Sequence, residues 1–130
     1  MVRLLAVGAL GLLLVGCNGG TVDRHALTND AATIDSINCE AWLLSDAVAR
    51  GRTTSQFTGA QAEALRVQAA NLADALGSRP TAEGLQTQVR AKARDANVLA
   101  ERLHRLRARP GDNALGAELA ARFKRAGRCA

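Results

Sequence analysis

Aromatic side chains are almost missing from this chain, which has one tryptophan, two phenylalanines and no tyrosine in 130 residues. Single-stranded nucleic acid is held largely by stacking bases on such rings, so that mode of binding has little to work with. Histidine is nearly as scarce. His25 and His104 stand far apart, and no nucleophile with a base and an orienting group is spaced to serve hydrolysis. No Cys-x-x-Cys, no His-Glu-x-x-His and no calcium loop occurs, and the glycines follow no strand. The expectation is therefore no enzyme, no cofactor and no metal site. β-Branched residues are few and nowhere alternate with period two, which argues against a sheet. One long apolar run exists, Leu4 to Val15. At about a dozen residues it falls short of the roughly 20 that a helix needs to cross a bilayer.

Alanine, leucine and arginine dominate instead, and all three favour helix. The expected class is all-α. Lysine and arginine number 17 against 12 acidic residues, a formal charge of +5, and loss of Arg3 with a leader would leave +4 (5 − 1). Cys17 to Ala60 is slightly acidic and the chain from Gln61 onward is basic. Arginine outnumbers lysine fifteen to two, as a GC-rich coding sequence produces, and the bland reading of the excess is a solvated face. The sharper reading takes Arg90, Arg94, Arg102, Arg105 and Arg109 as a face for an anionic partner.

The order of the first residues carries more information. Arg3 is followed by the apolar run and then by Leu14-Val15-Gly16-Cys17: an aliphatic residue, a tolerant position, a small residue and a cysteine. This resembles the lipobox of bacterial lipoproteins; an ordinary secretory signal with an incidental cysteine is the competing reading. The resemblance implies cleavage after residue 16 and a thioether-linked diacylglyceryl group on Cys17. It also implies an acylated new amine in many bacteria, with palmitate among the chains. One acyl chain gives only reversible membrane binding, whereas two or three give stable anchoring. The protein would then be extracytoplasmic and membrane-anchored through Cys17, an address that implies no nucleic-acid partner. Asn18 lacks the aspartate that retains Gram-negative lipoproteins at the inner membrane, so an outer-membrane address follows there. In other bacteria it would be the outer face of the cell membrane.

Behind residues 1–16 the expected organisation is a lipidated tether, 17–28, containing Gly19, Gly20 and His25, and a helical domain, 29–130. The first helix is expected from Asp30 to Arg50, capped by Thr28 or Asp30 and ended by Gly51. Its seam is Ile34, Ile37, Ala41, Leu44 and Val48, with Trp42 as a flanking core anchor. Phe57-Thr58-x-x-Gln61 reads as a staple and capping box for a second helix that runs to Leu76 and stops at Gly77 and Pro80. Thr81 opens a third helix, to about Ala108. There Leu85, Val89, Ala93, Ala96, Ala100 and Leu103 share a face, Leu99 and Leu106 lie at its edge, and Lys92 has to snorkel. Glu101 is spaced to pair with Arg105. Asp112 or Asn113 caps a short fourth helix with Leu115, Leu119 and Phe123 inward. Short connections make neighbours antiparallel, an up-down bundle of three long helices and a short one.

With Cys17 committed to lipid, Cys39 and Cys129 form an even pair in an oxidising compartment. At about 1.5 Å per helical residue the tail after the fourth helix ends close to the height of Cys39. A bond between them is expected, two independent thiols being the alternative. The functional expectation is a non-catalytic binding or structural module of the cell envelope, facing an envelope protein or an anionic cell-wall polymer. The alternative is an interference lipoprotein of exclusion, immunity or inhibitor type.

Overall fold

The computed structural model describes residues 20–130. The signal segment and Cys17 lie outside the described residues, as does the start of the expected tether. The described chain is all-helical: α1 (Arg24–Ala49), α2 (Ser55–Ser78), α3 (Gln86–Ala108) and α4 (Asn113–Gly127). None of these helices is long and apolar enough to cross a membrane.

Helix α1 begins well before Asp30 because Asp23 caps it, its carboxylate accepting from Ala26 N at 2.8 Å. Thr28, an expected cap, instead donates its hydroxyl to the Arg24 carbonyl inside the helix. Much of the expected tether is thus folded. Val22 is 0% exposed. Its N–H donates to Pro80 O at 2.7 Å and its carbonyl accepts from Ala82 N at 3.0 Å, a parallel bridge to Thr81 in the turn after α2. One buried valine in an extended segment has no period to betray it, which is why sequence patterning passes over it.

The same bridge moves the start of α3. Pro80 and Ala82 are engaged by Val22, and Gly84 adopts the left-handed conformation at φ 83°, so the helix starts at Gln86 instead of Thr81. Helix α2 passes through Gly77 to Ser78 and stops where Arg79, held extended by the following Pro80, cannot continue it. At its other end the cap is Thr54, accepting from Phe57 N at 3.1 Å. Thr58 is buried one turn in, on the same face as Ala62 and Leu65, so it serves the core and not the cap. Phe57 points to solvent, 58% exposed, and staples nothing. Asp112 caps α4 as expected, accepting from Leu115 N at 2.9 Å. That N–H holds the Asp112 carboxyl below the usual range, and the Arg109 guanidinium adds to the effect.

Two close pairs make the bundle. Helix α2 lies chiefly against α3, and α1 against α4, with sparser packing between the pairs. Glu63 near the start of α2 meets Arg107 near the end of α3 at 3.4 Å. Gly116 near the start of α4 meets the end of α1 so closely that a Cβ there would stand 2.9 Å from the Ala49 nitrogen and the Ser45 oxygen. Gly127 meets the middle of α1, where a Cβ would lie 2.8 Å from Asn38 and 2.9 Å from both disulfide sulfurs. Those two glycines are what let α4 approach the α1 backbone. Beside Gly127, Cys39 and Cys129 are bonded, with S–S 2.02 Å and Cα–Cα 5.6 Å.

The core runs through both pairs, and Phe123, Leu65, Leu76, Leu99, Leu103, Leu106 and Leu119 are its largest fully buried members. Leu99 and Leu106, expected at the edge of α3, are central to it, while Ala93 and Ala100 are only partly covered. The helix has rolled so that leucines, which remove more apolar area from water than alanines, face inward. Trp42 packs on the rim of the core, half-buried, with Lys124 Nζ 4.9 Å from its ring centroid.

Candidate functional site

The arginines expected to form one face of α3 divide into three groups. Arg90 and Arg94 are exposed, with no carboxylate at ion-pair distance among the described residues. Arg105 and Arg109 are engaged by acids of the last quarter of the chain. Arg105 pairs with Glu118 at 3.4 Å, displacing the expected Glu101 contact, and Arg109 pairs with Asp112. Glu118 is shared, since Arg122 also reaches it at 3.4 Å.

Arg102 is the third case. It is half-buried, and no carboxylate among the described residues lies within ion-pair distance of it. Partial burial holds its guanidinium below the ordinary arginine range, and repulsion from Arg122, Arg105 and Arg125 adds to this. An anion placed beside Arg102 would relieve both penalties. Arginine suits that role because its planar fork binds carboxylate or phosphate oxygens in pairs. Arg122 and Arg125 were missed as site residues by sequence reasoning. The density of arginine near the C-terminus was visible, but its meeting with Arg102 depends on where α4 lies.

Arg102 forms part of the wall of a cleft of about 390 Å³ between α1, α3 and the end of α4. Asp35, Lys92, Asp95 and Arg128 also line it. Its carboxylates are each matched by a cation: Asp35 by Arg128 at 3.3 Å and Asp95 by Lys92 at 3.4 Å. Lys92 therefore ends on the exposed Asp95, its own side chain about a third in solvent. Arg102 is the one cation in this wall left without a counter-charge among the described residues. On the other side of the bundle, a shallower groove of about 430 Å³ between α1 and α2 is lined by Leu43, Leu44, Ala47 and Phe57. Leu43 there is 60% exposed.

The two histidines are not brought together. His25 is exposed in the first turn of α1, its Nε2 3.3 Å from Asn29 Nδ2, and His104 is exposed on α3. Among the described residues no three His, Cys, Asp or Glu side chains are grouped so as to hold a metal ion. Compared with known proteins, the chain matches no family model, no curated protein and no solved structure.

Proposed function

We propose that this protein is a lipid-anchored, extracytoplasmic binding module of a bacterial envelope, an antiparallel up-down bundle that is non-catalytic and takes an anionic group at Arg102. The anchoring half rests on Leu14-Val15-Gly16-Cys17. The binding half rests on one observation: a half-buried guanidinium with three arginines around it and no acid to neutralise it. The antiparallel arrangement is supported by the way α2 meets α3 and α1 meets α4, start to end in each pair. An acidic cell-wall polymer or an acidic segment of an envelope protein supplies the required chemistry.

Anchoring is tested by metabolic labelling with a fatty-acid probe. The wild type should carry label and Cys17→Ala should carry none; label on the variant removes the anchor. Binding is tested with inorganic polyphosphate as the probe. Hydrogen bonds to charged groups contribute about 1.5–3 kcal/mol each, so Arg102→Glu with Arg122→Glu should weaken binding about tenfold or more. The control is Arg90→Glu with Arg94→Glu, the same charge change away from the cleft. An equal loss in both pairs, or none in either, would return the arginines to the role of a solvated face.

The interference reading, a lipoprotein that blocks an incoming or secreted factor, is favoured by a different feature. Leu43 and Phe57 form an exposed apolar pair where α1 and α2 pack thinly, and such a pair suits a protein partner more than a polymer.

A further inference from the structure

The bundle begins almost at the lipidation site. Only Asn18 and Gly19 stand between Cys17 and Gly20. Gly20 is already held, its carbonyl accepting from Arg79 Nε at 3.0 Å. Val22 is then clamped on both sides to Pro80 and Ala82, and Asp23 caps α1. Nothing from Gly20 onward can act as a leash. Three steps of fully extended chain span at most about 11 Å.

That clamp sits at one end of the bundle, where the start of α1 meets the turn of residues 79–85 between α2 and α3. Arg24, His25, Ser78 and Glu83 are exposed there, beside the Arg79–Asp30 pair at 4.0 Å. The mixture is close to neutral and carries no large exposed apolar residue, so it suits contact with headgroups but not insertion. From this end α3 rises at about 1.5 Å per residue. Arg102, sixteen residues after Gln86, is therefore about 24 Å up, and the turns at Gly51 and Pro110–Gly111 lie farther still.

Resting on the lipid reading above, we infer that the protein meets the membrane by this end alone. Gly20–Asp23 and the 79–85 turn lie against the lipid headgroups, and the Arg102 cluster is held clear of the bilayer. The orientation is set by a short covalent link and not by charge, so it is the same on neutral and anionic membranes. The site then draws its anion from the space beyond the membrane, and the headgroups of its own bilayer are out of reach.

Fluorescence quenching tests this. Lipidated protein, its modified amino terminus verified by mass spectrometry, is reconstituted into phosphatidylcholine vesicles containing a lipid with a nitroxide on its headgroup. In a Trp42→Phe background, Glu83→Trp reports on the clamped end and Arg52→Trp on the far end. Thr87→Trp, at an exposed position in the first turn of α3 and so also at the clamped end, stands in should Glu83→Trp fold poorly. The clamped-end reporter should be quenched severalfold more than Arg52→Trp. Twelve Gly and Ser residues inserted between Asn18 and Gly19 add an end-to-end span of about 19 Å and should remove most of that difference. Equal quenching at the two ends of the uninserted protein overturns the orientation while leaving the anchor intact. So does a pattern that changes with phosphatidylglycerol and is reversed by salt, the mark of a bundle lying on its basic side. An unmodified amino terminus, with no vesicle binding, overturns the anchor and the orientation together.

Discussion

Replacing Cys39 and Cys129 by serine should lower the stability of this bundle by up to about 4–5 kcal/mol, the chain-entropy value for a loop as long as the 90-residue separation here. No ion pair on the surface approaches that figure, because exposed pairs contribute about 0–1 kcal/mol each. The effect is large because of where the bond lies. It joins the first helix to the last, so without it the denatured chain gains the freedom of nearly the whole domain. It also sits where α4 depends on close approach, with Gly127 packed against both sulfurs. The measurement is guanidinium unfolding of the oxidised protein beside the double serine variant. The midpoint should fall, and the slope should steepen as the unlinked chain exposes more surface. An unchanged midpoint would mean that the packing of α4 on α1 holds the ring closed without the bond. The bond would then add little to the stability of the fold.

What the sequence made legible here, and what it hid, divides along physical lines. Four helices were readable because alanine and leucine recur at helical spacing, and α4 with its Asp112 cap was readable almost to the residue. The disulfide was readable from helix rise, which brings the tail after α4 to the height of Cys39. The clamp was not. Val22 is one buried residue in an extended segment, and its partners are backbone groups of Pro80 and Ala82, which have no side-chain signature. Missing it displaced the starts of both α1 and α3. The face of α3 was rolled by a fraction of a turn for a similar reason. Ala93 and Ala100 fit the helical period as well as Leu99 and Leu106 do, and only the competition for buried area decides between them. The candidate site shows the same split. Of Arg102, Arg105 and Arg109, pairing with Glu118 and Asp112 leaves Arg102 without a counter-charge among the described residues, and Arg122 and Arg125 add their repulsion from α4.

Phe123→Ala should destabilise the folded protein by about 3–5 kcal/mol, the range for truncating a fully buried phenylalanine. Several buried core positions are alanines (Ala41, Ala62, Ala69, Ala73 and Ala96), which pack closely but each remove little apolar area from water. Among the described residues Phe123 is the largest fully buried side chain and is 0% exposed, while Phe57 is in solvent and Trp42 is on the rim. Its loss therefore leaves a cavity whose cost adds to the lost transfer of the ring from water. Phe123→Leu should recover much of the loss, since it restores apolar volume in place of the ring. Thermal unfolding of the three proteins with the disulfide intact makes the comparison, and equal stabilities would show that α4 contributes covalently and not by burial. The two terms act on different states, the bond mainly on the unfolded chain and the ring on the folded one, so they should add. Domains of this size are commonly stable by only about 5–15 kcal/mol. Combining Phe123→Ala with reduction of Cys39–Cys129 should therefore remove most or all of the margin. Loss of the cooperative transition in that one combination, with cooperative unfolding kept in each single change, is the expected signature of a small core that depends on its covalent link.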